Sequence, residues 1–385
     1  MAHSNTLFAQ MLALIPRHEI QFLEGKYKCG RSSRLFGFKQ QLAVMLFIQL
    51  AARNSLRDGL RCLAAAGRRL YHWGLRSVAR STVADANKER PVGFFQELFE
   101  RLYQHCLFHA PKHKFRFQSK LFSIDSTTIS LCLSVFPWAS FRSRKAGIKM
   151  HTVLDHDGCI PAFVAFSEAK AHDRLLCDAL RLPKGSIVVG DRAYNDYRWF
   201  NSLSEARVFF VTRQKSNAVY QTVKSLPTKV VTGVTSDKII KVRKGRLSLK
   251  LRRIEYHDSE SNQDFAYLTN KFTLAARTIA DIYKDRWKIE SFFKEIKQNL
   301  HIKKFVGTSE NAVWIQLYTA LIAYLLLAYM KFMAGFESSV QQLLQLAQLN
   351  LLGTASMQEL LAQSAQRRTQ KNLFNDYPLF NSIPR

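Results

Sequence analysis

What the chain lacks narrows its chemistry first. Its six cysteines, Cys29, Cys62, Cys106, Cys132, Cys159 and Cys177, form no CxxC pair. No histidine stands at zinc-finger spacing from any of them. Neither a disulfide frame nor a cysteine-based zinc site is expected, and the thiols suit a reducing compartment. Acidic residues are scarce: 29 Asp and Glu against 57 Lys and Arg leave a net charge of +28. The opening residues, MAHSNTLFAQ, lack the basic-then-apolar pattern of a secretory signal. Long apolar runs are missing too, save residues 312–330, AVWIQLYTALIAYLLLAYM. That length could span a bilayer. Gln316, Thr319 and several tyrosines interrupt it, however, and it stands alone. The expectation is a buried core helix and no membrane partner.

What is present points to a folded, polyanion-binding chain. Apolar residues make up 47% of the 385, enough for a sizeable core. The positive excess attracts polyanions and speeds encounter with them. Nucleic acid is the obvious one, because each neutralised phosphate releases a counterion. A basic soluble protein without a nucleic-acid role is the blander alternative.

Residues 1–115 read as helical. FGFKQQLAVMLFIQLAARNSLRDGLRCLAAAG has helical apolar spacing with a break near Asn54-Ser55. Ser81 or Thr82 is expected to cap a helix, and Pro91 to open the next. Arginines punctuate the segment at 53, 57, 61, 68, 69, 76 and 80. A helix-turn-helix DNA-binding module and a plain bundle with a solvated basic face both fit. From residue 120 the pattern becomes α/β. KLFSIDSTTISL, GIKMHTVLD and IPAFVAFSE read as a three-strand meander, the last two joined by an HDGC turn. AHDRLLCDALRL reads as a helix, SIVVGD as a buried strand, YNDYRWFNSLSEA as a helix and RVFFVTR as a strand. Residues 214–275 alternate like an antiparallel unit. From Arg213 to Arg253 there are 12 basic residues and one acid, Asp237. Such strands can lie along a phosphate backbone, or their lysines can simply discourage edge pairing. Helices are expected over 276–300 and 311–332, then a weaker one and a polar tail.

Three acids stand out. Asp125 lies inside an apolar strand and Asp191 closes another, costly places unless partnered or bound to metal. Glu290 lies in IYKDRWKIESFFKEIKQNL. On one helix, Tyr283, Arg286, Glu290 and Lys297 fall within an arc of about 60°, beside an apolar face.

That segment resembles the Y-(2)-R-(3)-E-(6)-K signature of a large family of bacterial insertion-sequence DDE transposases, at Tyr283, Arg286, Glu290 and Lys297. Asp-Ser-Thr at 125–127 and Gly-Asp-Arg-Ala-Tyr at 190–194 resemble the family's other acidic motifs. The resemblance implies an α/β fold: a ribonuclease-H-like mixed sheet core over 116–213 and 276–332, interrupted by a basic β-rich insertion over 214–275. A helical N-terminal DNA-binding domain, 1–115, precedes it, and a C-terminal helical region with its tail, 333–385, follows.

The resemblance also implies catalysis and metal binding by Asp125, Asp191 and Glu290, with two Mg²⁺ ions that Mn²⁺ can replace. Mg²⁺ suits hard oxygen ligands and relieves repulsion among three carboxylates. Tyr283, Arg286, Lys297, Arg213 and Lys215 are expected to contact DNA. Lys149, His151, His172 and Asp173 are expected around the metal ligands. The implied partners are double-stranded DNA, as terminal inverted repeats and target, and a second copy in a synaptic dimer. The implied location is the cytoplasm, on the nucleoid. One departure concerns a tryptophan that stacks on a flipped base in some relatives. The tryptophans here, at 73, 138, 199, 287 and 314, lie outside the insertion. Tyr220, Tyr256, Phe265 or Tyr267 could substitute, since stacking needs an aromatic face. A nuclease without strand transfer, and a DNA-binding protein without catalysis, are the competing readings.

Overall fold

The computed structural model describes residues 5–28, 36–142, 145–169, 177, 180–228, 233–300 and 304–363. They form two compact units, one of residues 1–102 with 299–385, the other of residues 103–298. The helix expected over 171–182 and the polar tail fall largely or wholly outside the described residues.

The first unit is helical: α1 (Leu7–Ala13), α2 (Arg17–Lys26), α3 (Phe38–Leu50), α4 (Leu56–Ala65), α5 (Arg69–His72), α6 (Arg80–Glu89) and the start of α7 (Gly93–His109). The expected break at Asn54-Ser55 is present: Ser55 caps α4, its hydroxyl accepting from Asp58 N–H at 3.1 Å. α6 starts one residue before Ser81, with Ala79 at the cap position and no side-chain bond there. Neither Ser81 nor Thr82 caps it.

The long apolar helix over 310–334 also belongs to this unit, although the sequence grouped it with the sheet. It is apolar on every side and is therefore surrounded. Sixteen residues between Ala312 and Ala328 are buried, and it packs on α3 and α6. Gln316 spends its amide on Val306 N–H at 2.8 Å and Lys304 O at 2.9 Å, and Thr319 bonds Ile315 O.

The second unit is built on a ten-stranded mixed sheet. Its strands are β1 (Leu121–Leu131), β2 (Ser140–Arg142), β3 (Lys145–Asp155), β4 (Ile160–Glu168), β5 (Ile187–Gly190), β6 (Phe209–Arg213), β7 (Gln221–Ser225), β8 (Val234–Lys244), β9 (Leu247–Asp258) and β10 (Gln263–Thr269). β3 pairs antiparallel with both β1 and β4, giving the expected meander. β1, β5 and β6 then run parallel. The sheet continues antiparallel through β10, β9, β8 and β7, so the basic insertion is an extension of the same sheet. β7, exposed along its length, has no apolar alternation and gave no strand signal in the sequence.

Both faces of the central strands are covered, which explains the unbroken apolar run in β5. On one face α8 (Tyr197–Glu205) buries Trp199, Phe200 and Leu203 against Val188, Phe210 and Leu251. The Phe200 and Phe210 rings stack at 4.0 Å. Burying one such side chain stabilises by about 1.5–3 kcal/mol. On the other face α9 (Ala276–Asp285) buries Ile279 and Ile282 against Val189, Val211 and Ile254. α10 (Trp287–Asn299) follows α9 directly, so the single helix expected over 276–300 is divided at Arg286. There Arg286 N–H bonds Tyr283 O at 3.1 Å and Ile289 N–H bonds Arg286 O at 3.0 Å. Bonds three residues apart on both sides tighten the helix into a 3₁₀ step.

Candidate active site

The parallel pairing of β1 and β5 brings the first two acids together. Ile124 and Gly190 are register partners, and Asp125 and Asp191 are the next residue on each strand. Adjacent strands run about 4.8 Å apart. Gly190 suits this closeness. A Cβ there would stand 3.0 Å from Ile124 Cγ2 and 3.4 Å from Tyr194 Cβ, so a larger residue would require those side chains to give way. Asp191 ends its strand by capping a 3₁₀ turn, accepting from Ala193 N–H at 2.8 Å. Its carbonyl accepts from Thr212 of β6 at 3.1 Å. Glu290 joins from the first turn of α10.

Arg286 ties Asp125 to Glu290. Its guanidinium donates to Asp125 Oδ2 at 3.2 Å and to Glu290 Oε1 at 2.6 Å. Its Nε is buried without a hydrogen-bond partner. Burial pushes Asp125 up to about 6, with Asp191 and Glu290 adding to the rise; the Ser126 N–H bond and Arg286 oppose it. Two residues on, Lys297 Nζ bonds the hydroxyl of Thr127, on the same face of β1 as Asp125.

The donor set is chemically suited to a divalent cation. It consists of carboxylate oxygens, half-buried, mutually repelling and already neutralised in part by a positive charge between them. Among the described residues no three such side chains are close enough to hold an ion as they stand. The Arg286 fork bridges Asp125 and Glu290, and Asp191 accepts from Ala193 N–H at its own cap.

The remaining expected residues divide into those near the acids and those elsewhere. Tyr283 lines a cavity of about 340 Å³ that Arg286 also lines. Tyr256, Phe265, Tyr267, Trp287 and Arg213 line it too. The Tyr283 and Tyr267 rings lie 4.9 Å apart, and Arg213 covers Phe265 at 4.6 Å. Of the four aromatics weighed for base stacking, three are here. Tyr220 instead lies under the Arg253 guanidinium at 5.0 Å. Lys215 lies outside this cavity, its ammonium 3.5 Å from Asn195 O.

Lys149 and His151 sit opposite Thr128 and Ser126, so strand alternation sends them to the face away from Asp125. His151 bonds Ser167 of β4 at 2.8 Å. His172 and Asp173 lie outside the described residues. The sequence reading missed Trp287, which is 63% exposed at the cavity, and a buried chain running from Ser123 through His156 to Asp285. The only sequence signal for the latter was Asp285 standing directly before Arg286.

Comparison with known proteins shows the family. A transposase DDE domain model matches residues 116–326, and a domain of unknown function matches residues 3–76. The chain is 36% identical over 258 residues to the transposase y4zB of Sinorhizobium fredii, covering 65% of this chain and 71% of the relative. It is 29% identical over 333 residues to a transposase for the insertion sequence element IS5377 of Geobacillus stearothermophilus, 86% of each chain. A solved piggyBac transposase synaptic complex with hairpin DNA superposes at a TM-score of 0.42 with 12% identity, over 99% of this chain and 85% of that one, a likeness too weak to bear on the fold. With more than half its length matched by the DDE domain, the chain belongs to the DDE transposase family and is a DNA transposase of bacterial insertion-sequence type.

Proposed function

We propose that Asp125, Asp191 and Glu290 are the reacting acids of this transposase and that Tyr283, Arg286, Glu290 and Lys297 form the family's Y-(2)-R-(3)-E-(6)-K signature. The observation that carries this reading is the Arg286 fork joining Asp125 and Glu290, 165 residues apart in sequence. The ribonuclease-H-like reading of the core draws support from the order β4-β3-β1-β5-β6, an antiparallel meander followed by two parallel strands.

The three carboxylates would hold two Mg²⁺ ions. Bound there, the ions supply Lewis acidity to an in-line displacement at phosphorus, first by water and then by the freed 3′-hydroxyl. The chain's own residues position the DNA. Arg286 and Lys297 meet phosphate oxygens beside the cut, one as a planar fork and one as a point charge. The aromatic cavity around Tyr267 and Tyr283 receives an unstacked base, with Arg213 at its rim. The N-terminal helices, 1–115, bind the element end, and 214–275 follows the backbone. Two copies pair the two ends, and the protein works on the nucleoid in the bacterial cytoplasm.

Metal exchange tests the site. With Mg²⁺ or Mn²⁺ a labelled element end is expected to be nicked and then joined to target. With Ca²⁺ it is expected to be bound and left uncut, because Ca²⁺ takes more ligands at longer distances. Unchanged cleavage in excess chelator would remove the metal reading. Nicking without joining would make the protein a nuclease only.

The insertion is tested by salt. Lys241 and Lys250 are direct register partners on β8 and β9. Like charges in that position destabilise a sheet, which is reasonable where a polyanion neutralises them. Replacing both with Gln is expected to lower the slope of log affinity against log salt by about 2. The melting temperature of the free protein should hold or rise. An unchanged slope removes the two lysines from the backbone contact, since β8 and β9 are both paired on either side and have no edge to protect.

A further inference from the structure

Ser123, Asp125 and Thr127 alternate onto one face of β1, and each is tied to the helix pair α9–α10 by a different partner. Thr127 meets Lys297 and Asp125 meets Arg286. Ser123 reaches Asp285 through a histidine: Ser123 Oγ lies 2.7 Å from His156 Nε2, and His156 Nδ1 lies 2.9 Å from Asp285 Oδ2. All three residues are buried. Asp285 also accepts from Lys114 at 2.7 Å and Lys288 at 2.8 Å. Burial alone would raise the Asp285 carboxyl, but bonds from His156, Lys114 and Lys288 hold it well below the usual carboxylate range. Burial lowers His156, outweighing Asp285, and favours the neutral ring. The neutral ring then donates from Nδ1–H to Asp285 and accepts the Ser123 hydroxyl proton at Nε2, which satisfies every group.

The turn that carries His156 is itself pinned. Asp155 accepts from Tyr103 at 2.7 Å and Lys120 at 3.0 Å, and Asp157 from Lys120 at 2.7 Å and Lys112 at 3.1 Å. His156 N–H bonds Leu121 O of β1 at 2.9 Å.

A Ser–His–Asp chain suggests a nucleophile, but this serine is 0% exposed within the sheet, where no substrate can reach it. Its place suggests another task. Asp285 is the last residue before the 3₁₀ step at Arg286, where the helix pair would otherwise be free to hinge. We propose that Ser123, His156 and Asp285 form a positioning chain that clamps this step against β1, setting the Arg286 fork and Glu290 opposite Asp125. The proposal rests on the reading of Asp125, Asp191 and Glu290 as the reacting acids.

The test uses the full-length protein with a labelled element end, comparing single-turnover nicking at saturating DNA with end affinity. Asp285→Asn is expected to slow nicking about 100-fold, the scale on which small misplacements act, with end affinity unchanged. Ser123→Ala should slow it about 10-fold, and the double variant should be no slower than Asp285→Asn, because the two lie on one chain. A far-downfield Nδ1 proton resonance should be present in the wild type and lost in Asp285→Asn. Glu290→Gln runs beside them. If it is inactive while Ser123→Ala and Asp285→Asn nick like the wild type, the clamp is overturned. Rate losses matched by equal losses of affinity overturn it as well, leaving only a structural role. If Glu290→Gln nicks normally, the site reading itself fails. Should Asp285→Asn not fold, Ser123→Ala decides, since it deletes a single hydroxyl.

Discussion

Asp125→Asn, Asp191→Asn and Glu290→Gln are each expected to lower strand cleavage by at least about 1,000-fold while leaving end binding close to wild type. Each change keeps the side chain's size and removes its charge. Asp125 is the most constrained of the three: it lies within β1 under partial burial and accepts from Ser126 N–H and from Arg286. An amide there keeps one acceptor oxygen in place of two, so it cannot accept from Ser126 N–H and from Arg286 as the carboxylate does, and it brings no charge to an ion. Affinity should survive because most of the +28 charge lies elsewhere. Metal-dependent nicking of a labelled end beside a gel-shift measures both. Near-normal nicking by any one variant would take that residue out of the site.

Arg286→Ala is expected to lower the saturated cleavage rate at least about 100-fold and end affinity far less, because fixing a phosphate matters most in the transition state. Arg286→Lys should recover part of the loss, since a point charge cannot make the two-pronged contact. The structure adds a second consequence. Arg286 now neutralises Asp125 and Glu290, so an arriving cation must compete with it. Without DNA, Mn²⁺ should therefore raise the melting temperature of Arg286→Ala by more than it raises that of the wild type, as tighter binding to the folded state requires. A smaller rise would mean that the guanidinium helps the ion rather than standing in for it. Wild-type cleavage by saturated Arg286→Ala would make Arg286 a structural residue only.

Much of the sheet unit was legible because its cues are local. The strand of Asp125, the HDGC turn and the VVG run before Asp191 are short-range patterns of alternation and burial, and each folds as expected. β7 was not legible, since an exposed edge strand needs no apolar face. The step at Arg286 was hidden for a similar reason. No proline or glycine marks it; the step falls where Arg286 bonds Asp125 of β1, in a segment whose periodicity reads as one helix.

The sequence by itself determined the charge and the α/β order, and it singled out Asp125, Asp191 and Glu290 as candidates. Strand ends, apolar runs and the spacing around Glu290 are properties of neighbouring residues. Only the tertiary structure decided what stands between those acids. The arginine bridging Asp125 and Glu290, the unit to which the 310–334 helix belongs and the Ser123–His156–Asp285 chain all join residues far apart in sequence. A buried polar group must find a partner, but no local pattern says which one. That choice is made when the sheet and helices close on one another.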